Sequence, residues 1–345
     1  MEIIPEEDCS EKKKYSQVCG LRVRRLNNNG GWKRCVVCLH RTHSEHMAGN
    51  KRVCARCSRE ESNIPQEYQI RPDSISILHL TDLHFSHAGG GENLCLKNWL
   101  KDKGMDYVLI SGDLTAGADS VEYRRAAGWI KEIELSGIKA AVVPGNHDIG
   151  YWGNAASLGR QLSGNKYHRW IEIIDRPIEP CLRGPFFMSL GLNTAHGISP
   201  TRFLNGYLRS GQRARARELL AATPPGHLKA VFCHHPLVRF PNSFHKAIFR
   251  AEDIKGEILD SGADLLLWGH QHSFDTVLLE RDGGKCIAVQ GPTMSERTRD
   301  GLPGFVSVQW LFDRKVIIRS YRVEGKSNIK EDRVVEYSLS DTAWG

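Results

Sequence analysis

No apolar run in the 345-residue chain approaches the roughly 18 residues that a membrane-spanning helix needs, so no membrane partner is expected. The stretch MEIIPEEDCSEKKK at the amino terminus also lacks the apolar core of a secretory leader, which points to the cytoplasm. Thiols stay reduced there, so ten cysteines are better explained by burial or metal binding than by disulfides. Acidic residues are nearly missing from one segment. Between Lys12 and Arg59 there are thirteen Lys or Arg and a single acid, Glu45. Outside it the two signs come close to balance, and the whole chain carries only +7.

That basic segment holds Cys35-x2-Cys38, then fifteen residues, then Cys54-x2-Cys57. Two CxxC knuckles at this spacing suit four thiolates around one tetrahedral zinc ion. A segment so short and polar has little core, so the metal would supply much of its folding free energy. His40, His43 and His46 lie between the knuckles and read as groups near the site rather than ligands. Cys9 and Cys19 have no CxxC partner and give only a weak signal for a second site. The concentrated positive charge suggests an anionic partner, nucleic acid foremost, with Trp32 and Tyr15 available for stacking. Residues 9–61 thus form an expected zinc-ribbon-like module. The proline-bearing stretch 62–73 reads as a linker, 74–325 as a second domain, and 326–345 as a tail.

The second domain alternates short apolar runs with helical segments. Ser74–Leu80, Tyr107–Ile110 and Ala141–Val143 read as strands, with helices near Leu94–Leu100 and Ser120–Leu135 between them. This βαβαβ rhythm implies a largely parallel, buried sheet. Further on, strands are expected at Phe187–Leu192, His227–Cys233 and Asp264–Trp268, with helices at Ser210–Ala222 and Ala247–Asp260. The texture from Thr276 to Val323 is that of β-hairpins and suggests a second sheet packed on the first.

Five strand ends carry metal-competent side chains: Asp82 and His84, Asp113, Asn146, His234, and His270 with His272. In open α/β sheets, ligands gather at the carboxyl ends of strands. Asp, Asn and imidazole without cysteine suit Mn²⁺, Fe²⁺ or Zn²⁺, and seven ligands suit two ions better than one. Asp82-x-His84, Gly112-Asp113, Gly145-Asn146-His147-Asp148, His234 and Gly269-His270-x-His272 together resemble the five blocks of the calcineurin-like metallophosphoesterase family. The resemblance covers roughly Ile75 to Val323. The runs Ser-Gly-Asp-Leu-Thr, Pro-Gly-Asn-His-Asp and Cys-His-His-Pro-Leu look most like the branch that includes class III cyclic-nucleotide phosphodiesterases. The phosphoprotein phosphatase branch fits poorly, because no Asp-Arg-Gly run follows Asp113.

The resemblance implies a four-layer α/β/β/α sandwich of two mixed sheets, beside the small zinc module. It implies one metal on Asp82, His84, Asp113 and His272, and another on Asp113, Asn146, His234 and His270, with Asp113 bridging. A metal-bridging hydroxide would then attack a phosphoester in line. His147 would bind or protonate the substrate, with Asp148 orienting it. His235 competes with His234, and the family's spacing to Pro236 favours His234. His87, His196 and His245 are weaker candidates for the substrate cleft, and His79 reads as a core histidine. Two substrate classes follow: a nucleotide or nucleic-acid phosphodiester delivered by the basic module, or a small cyclic nucleotide with the module reserved for protein assembly. A catalytically dead scaffold is a third reading that the intact ligand set disfavours.

Overall fold

A computed structural model describes residues 72–87, 94–150, 166–197, 205–241, 243–281, 284–299, 301–313, 315–325 and 328–339. It also describes the backbone of four short strands nearer the amino terminus. Those strands are β1 (Tyr15–Val18) with β2 (Leu21–Arg24), and β3 (Trp32–Arg34) with β4 (Arg41–His43), each pair antiparallel. The expected zinc ligands Cys35, Cys38, Cys54 and Cys57 lie outside the described residues, as do Cys9 and Cys19.

The second domain begins with β5 (Ser74–Leu80), α1 (Leu94–Lys103), β6 (Tyr107–Ser111), α2 (Ser120–Leu135) and β7 (Lys139–Val143). The three strands pair in parallel, as the helical crossovers require. The start of α2 is fixed by a capping box between Asp119 and Glu122. Next come β8 (Cys181–Gly184), β9 (Phe187–Leu192), α3 (Ser210–Ala221), β10 (Leu228–Cys233), α4 (Ala251–Asp260), β11 (Leu265–Trp268), β12 (Asp275–Arg281) and β13 (Gly284–Gln290). The chain closes with β14 (Gly304–Leu311), β15 (Lys315–Glu324) and β16 (Asn328–Ser338).

Two six-stranded mixed sheets result, ordered β16-β15-β14-β5-β6-β7 and β12-β13-β11-β10-β9-β8. Alternation along the strands builds three cores. Ile75, Ile77, Leu109 and Val143 of the first sheet meet Ala230, Phe232, Leu267 and Val289 of the second. The intervening Leu78, Leu80, Val108, Ile110 and Val142 turn the other way, onto α1 and α2. Val231, Cys233, Leu266 and Trp268 face α3 and α4. This is the four-layer α/β/β/α sandwich. Both faces of each central strand are covered, which is why these segments read as unbroken apolar runs.

Three sequence expectations need correction. The hairpin strands do not form a sheet of their own. β12 and β13 extend the second sheet, whereas β14 pairs antiparallel with β5 and carries β15 and β16 onto the first. Residues 328–338, assigned on sequence to a tail, are the first sheet's outer strand. Its run of charged residues suits an edge strand with solvent beside it. Helix α4 starts at Ala251 rather than Ala247, because Arg250 sits at φ 59°, a left-handed conformation that cannot continue a helix.

His79 on β5 is buried, as expected of a core histidine. Its Nε2 lies 2.8 Å from Ser111 Oγ, but its Nδ1 has no hydrogen-bond partner. Burial pushes its pKa down to about 3, from an ordinary 6.5. The folded state therefore stays neutral while the unfolded chain takes up a proton as pH falls below 6.5. Stability unaffected above that pH is lost progressively towards pH 3, by about 1.4 kcal/mol per pH unit. In metal-stripped protein, His79→Gln should lessen the stability lost between pH 7 and pH 5 by about 2 kcal/mol, measured by urea unfolding. An unchanged pH dependence would remove His79 from the acid response.

Candidate metal centre

β5, β6 and β7 of one sheet and β10 and β11 of the other end at the same rim, and each end turns sharply. Asp82, His84, Asp113, His270 and His272 all have positive φ, between 45° and 67°. Only nine non-glycine residues do so among the described residues, and these five supply most of the candidate ligands. Side chains pay a steric cost there, so such geometry persists only where surroundings enforce it. The enforcement is partly backbone contact. A methyl group on Gly269 would fall on the Thr81 hydroxyl and the Asp82 carboxylate. One on Gly145 would fall on Asp113. These glycines let one ligand-bearing turn lie directly against the side chain of another.

Two overlapping groups meet at Asp113. In the first, His272 Nε2 is 3.1 Å from Asp82 Oδ1, and His84 Nε2 is 3.9 Å from Asp82 Oδ1 and 3.8 Å from Asp113 Oδ2. In the second, His234 Nε2 is 3.4 Å from Asp113 Oδ2, 3.0 Å from Asn146 Oδ1 and 3.1 Å from His270 Nδ1. Backbone carbonyls set the tautomers. Nδ1 of His234 donates to Ser111 O at 2.9 Å, and Nδ1 of His272 donates to the carbonyl of Arg297. Each ring then presents Nε2 to the centre. Asp82 is aligned by the Thr81 hydroxyl at 2.6 Å and the His270 amide at 2.9 Å.

The donor set fits divalent cations. His84 is buried with neither ring nitrogen hydrogen-bonded, a costly state without a ligand. Lone-pair atoms crowd around His234 Nε2 at hydrogen-bond distance. Burial opposes the charge of Asp82, yet His272 and His234 hold its carboxyl well below the usual range. Burial likewise works against Asp113, and His234 and His147 hold it low. Against its own burial, His234 is pushed up to about 9 by Asp113 and Asp82. Asp113 and Asp82 thus favour positive charge at His234, where the surrounding lone pairs would hold a cation. Groups of three ligand atoms within 4.8 Å of one another include Asp82, His84, His272 and also Asp82, Asp113, His234.

The sequence from residue 75 to residue 274, more than half of the chain, matches the calcineurin-like phosphoesterase family. The chain belongs to that family. Membership implies hydrolysis of a phosphoric ester, and such enzymes typically work through a dinuclear metal site. No curated protein matches the sequence. Among solved structures, the fold is similar to purple acid phosphatase PPD1 of yellow lupin (Lupinus luteus), at 13% identity and a TM-score of 0.56. That similarity covers 78% of this chain and 54% of the lupin chain, so this protein spans about half of it. GAP50, the anchor in the inner membrane complex of Plasmodium, is similar at 11% identity and a TM-score of 0.50, over 79% of this chain and 91% of that one. Vps29 of Entamoeba histolytica matches at 14% identity and a TM-score of 0.40, over 76% and 100%. No helix among the described residues is long and apolar enough to cross a membrane.

The phosphoesterase rim brings together all seven candidate ligands, and His147 beside them. The His147 amide donates to Asp113 Oδ1 at 2.8 Å, its Nδ1 donates to Ala116 O at 2.8 Å, and its Nε2 lies 4.0 Å from Asp113 Oδ2. Asp148 does not play the part expected of it. Its carboxylate accepts from Leu114 N, Thr115 N, Thr115 Oγ1 and Gly145 N at 2.9–3.1 Å, tying the Asp113 turn to the Gly145 turn. The carbonyl of Ala116, not Asp148, positions the His147 ring. Burial and the Asp113 charge push Asp148 up to about 6, while the four donors favour its ionised form.

His235 points Nδ1 at Thr194 Oγ1, 2.8 Å away, which leaves His234 facing Asp113. Two weaker candidates lie elsewhere. His87 pairs with Asp119 at 3.1 Å on an exposed surface, and His196 is buried against Gln212 at 3.0 Å. His245 does reach the rim, with its ring 4.3 Å from that of His270. Sequence reasoning missed Thr81, Thr115, Gln271 and the Arg297 carbonyl. Only Gln271, sitting between two ligands in Gly-His-Gln-His, carried any signal.

Proposed function

We propose that the chain is a two-metal phosphodiesterase acting on a nucleotide or nucleic-acid diester. The convergence of two imidazole-carboxylate groups on the shared Asp113 carries this reading. One ion would be held by Asp82, His84, Asp113 and His272, and the other by Asp113, Asn146, His234 and His270. Bound there, the ions supply a nucleophile at neutral pH and neutralise charge on the phosphoryl oxygens. The chain's own residues do the rest. The carbonyls of Ser111 and Arg297 keep the ligand rings in one tautomer. His147 holds a phosphoryl oxygen or gives a proton to the leaving oxygen from Nε2. Asp148 keeps the Asp113 and Asn146 turns in register.

The spacing of Cys35, Cys38, Cys54 and Cys57, which lie outside the described residues, would suit a structural zinc, and the positive charge of that segment would attract a polyanionic substrate. The motif texture, similar to class III cyclic-nucleotide phosphodiesterases, favours one second reading. In it the substrate is a small cyclic diester and the module binds protein.

The test is a panel of cyclic nucleotides, dinucleotides, DNA and RNA assayed with Mn²⁺, Fe²⁺ or Zn²⁺. Turnover of nucleic-acid diesters, with binding that weakens steeply as salt rises, is the expected result. Turnover of cyclic nucleotides alone, without salt-dependent binding to DNA or RNA, would favour the second reading. No diester turnover with any of the three metals would end both.

A further inference from the structure

We propose that Phe244 and Arg299 form a base-stacking platform on the rim of the metal centre, selecting a nucleoside phosphodiester over one without an aromatic base. This rests on the phosphodiesterase reading above. Phe244 is 75% exposed, one of five exposed large apolar side chains among the described residues. An exposed ring needs no explanation by itself. This one is held in place by a chain of contacts leading to the candidate ligands. The His245 ring lies 4.3 Å from that of His270, and the Phe244 ring lies 4.9 Å from that of His245, edge to face. The Arg299 guanidinium sits 4.0 Å from the centre of the Phe244 ring, and its Nη2 donates to His245 Nε2 at 3.0 Å. Gln271 clamps the same segment through its backbone. Its side chain accepts from His245 N and donates to His245 O, both at 2.9 Å.

Phe244 is therefore fixed relative to His270 and His272 through the residue between them. The phosphate would lie at the centre and Phe244 two ring contacts away, a separation that a pentose can bridge. A planar ring backed by a guanidinium suits a heteroaromatic base, which has a polarisable face, better than an alkyl group. The same guanidinium adds positive charge where an anionic diester must approach.

Full-length, Mn²⁺-loaded enzyme should be assayed on two diesters with one leaving group: thymidine 5′-(p-nitrophenyl phosphate) and methyl p-nitrophenyl phosphate. Wild type should prefer the thymidine diester in kcat/KM. Phe244→Ala should reduce that preference about tenfold, the size of one lost stacking contact. Phe244→Trp should preserve it, and Arg299→Met should weaken it. Equilibrium dialysis gives a second readout. Wild type should bind thymidine 5′-monophosphate more tightly than inorganic phosphate, and Phe244→Ala should narrow that gap. An undiminished preference in Phe244→Ala, in rate and in binding, overturns the platform. Failure of wild type to cleave either diester counts instead against the phosphodiesterase reading, and the dialysis comparison still decides the platform.

Discussion

Asp113→Ala should abolish turnover and lower the metal content from two ions to one or none. The carboxylate lies within reach of imidazoles from both halves of the centre. Its Oδ2 lies 3.4 Å from His234 Nε2 and 3.8 Å from His84 Nε2, while its Oδ1 accepts the His147 amide at 2.8 Å. Alanine removes a charge and both of those oxygens at once. Losing one preorganised polar contact in an active site costs roughly 10²–10³ in kcat, and a bridging ligand should cost at least the upper end. Asp113→Asn separates charge from shape. It can retain the bond from the His147 amide, so the turn should keep its conformation, yet metal content should still fall. The measurements are kcat on bis-p-nitrophenyl phosphate in Mn²⁺ and metal analysis after gel filtration. Two bound ions and near-wild-type turnover in either variant would refute the shared-ligand assignment.

Much of the sandwich was legible because its central strands are buried on both faces. Ile75 to Leu80, Val108 to Ile110 and Leu265 to Trp268 carry apolar residues towards both a helix layer and the opposite sheet. Such runs stand out against any background. What could not be read was partner choice. β14 looks like any hairpin strand, and nothing local says that Val306 and Val308 will pair beside β5 rather than beside β13. That choice depends on contacts far apart in sequence. β8 and β16 were missed for a different reason. Both lie at sheet edges, where one flank meets no strand and the apolar pattern weakens.

At the rim, the seven candidate ligands were legible because five separate strand ends each supplied a metal-competent residue. Their orientation was not. The carbonyls of Ser111, Ala116 and Arg297 that aim the imidazoles have no side-chain signature, since every residue carries one. Asp148 illustrates the limit. Its place next to His147 suggested a carboxylate orienting an imidazole, but adjacent residues on a tight turn point in different directions. Asp148 turns inward, where its 1% exposure leaves it among backbone amides. Phe244 gave no signal at all, because its role depends on Arg299 more than fifty positions away.

His147→Ala should lower kcat by about 10²–10⁴ on a substrate with a poor leaving group while both ions stay bound. His147 forms with His84 and Asp113 a group whose ligand atoms lie within 4.8 Å of one another, so rate and metal content must be measured together. Its Nε2 stands 4.0 Å from the Asp113 carboxylate, farther than that of His84 or His234. Its side chain is 18% exposed, close to the 13% of His272 and above the 2% of His84, so solvent reaches it. The Ala116 carbonyl receives the Nδ1 proton, and Nε2 is the ring nitrogen turned towards Asp113. If that atom delivers a proton to the leaving oxygen, the defect must depend on how much the leaving group needs one. An alkoxide departs badly without protonation, whereas p-nitrophenolate departs readily as the anion. The loss in His147→Ala should therefore shrink steadily along a series of diesters as the leaving-group pKa falls. A loss independent of the leaving group would instead assign His147 to holding the phosphoryl oxygens. Loss of bound metal in step with activity would make it a ligand.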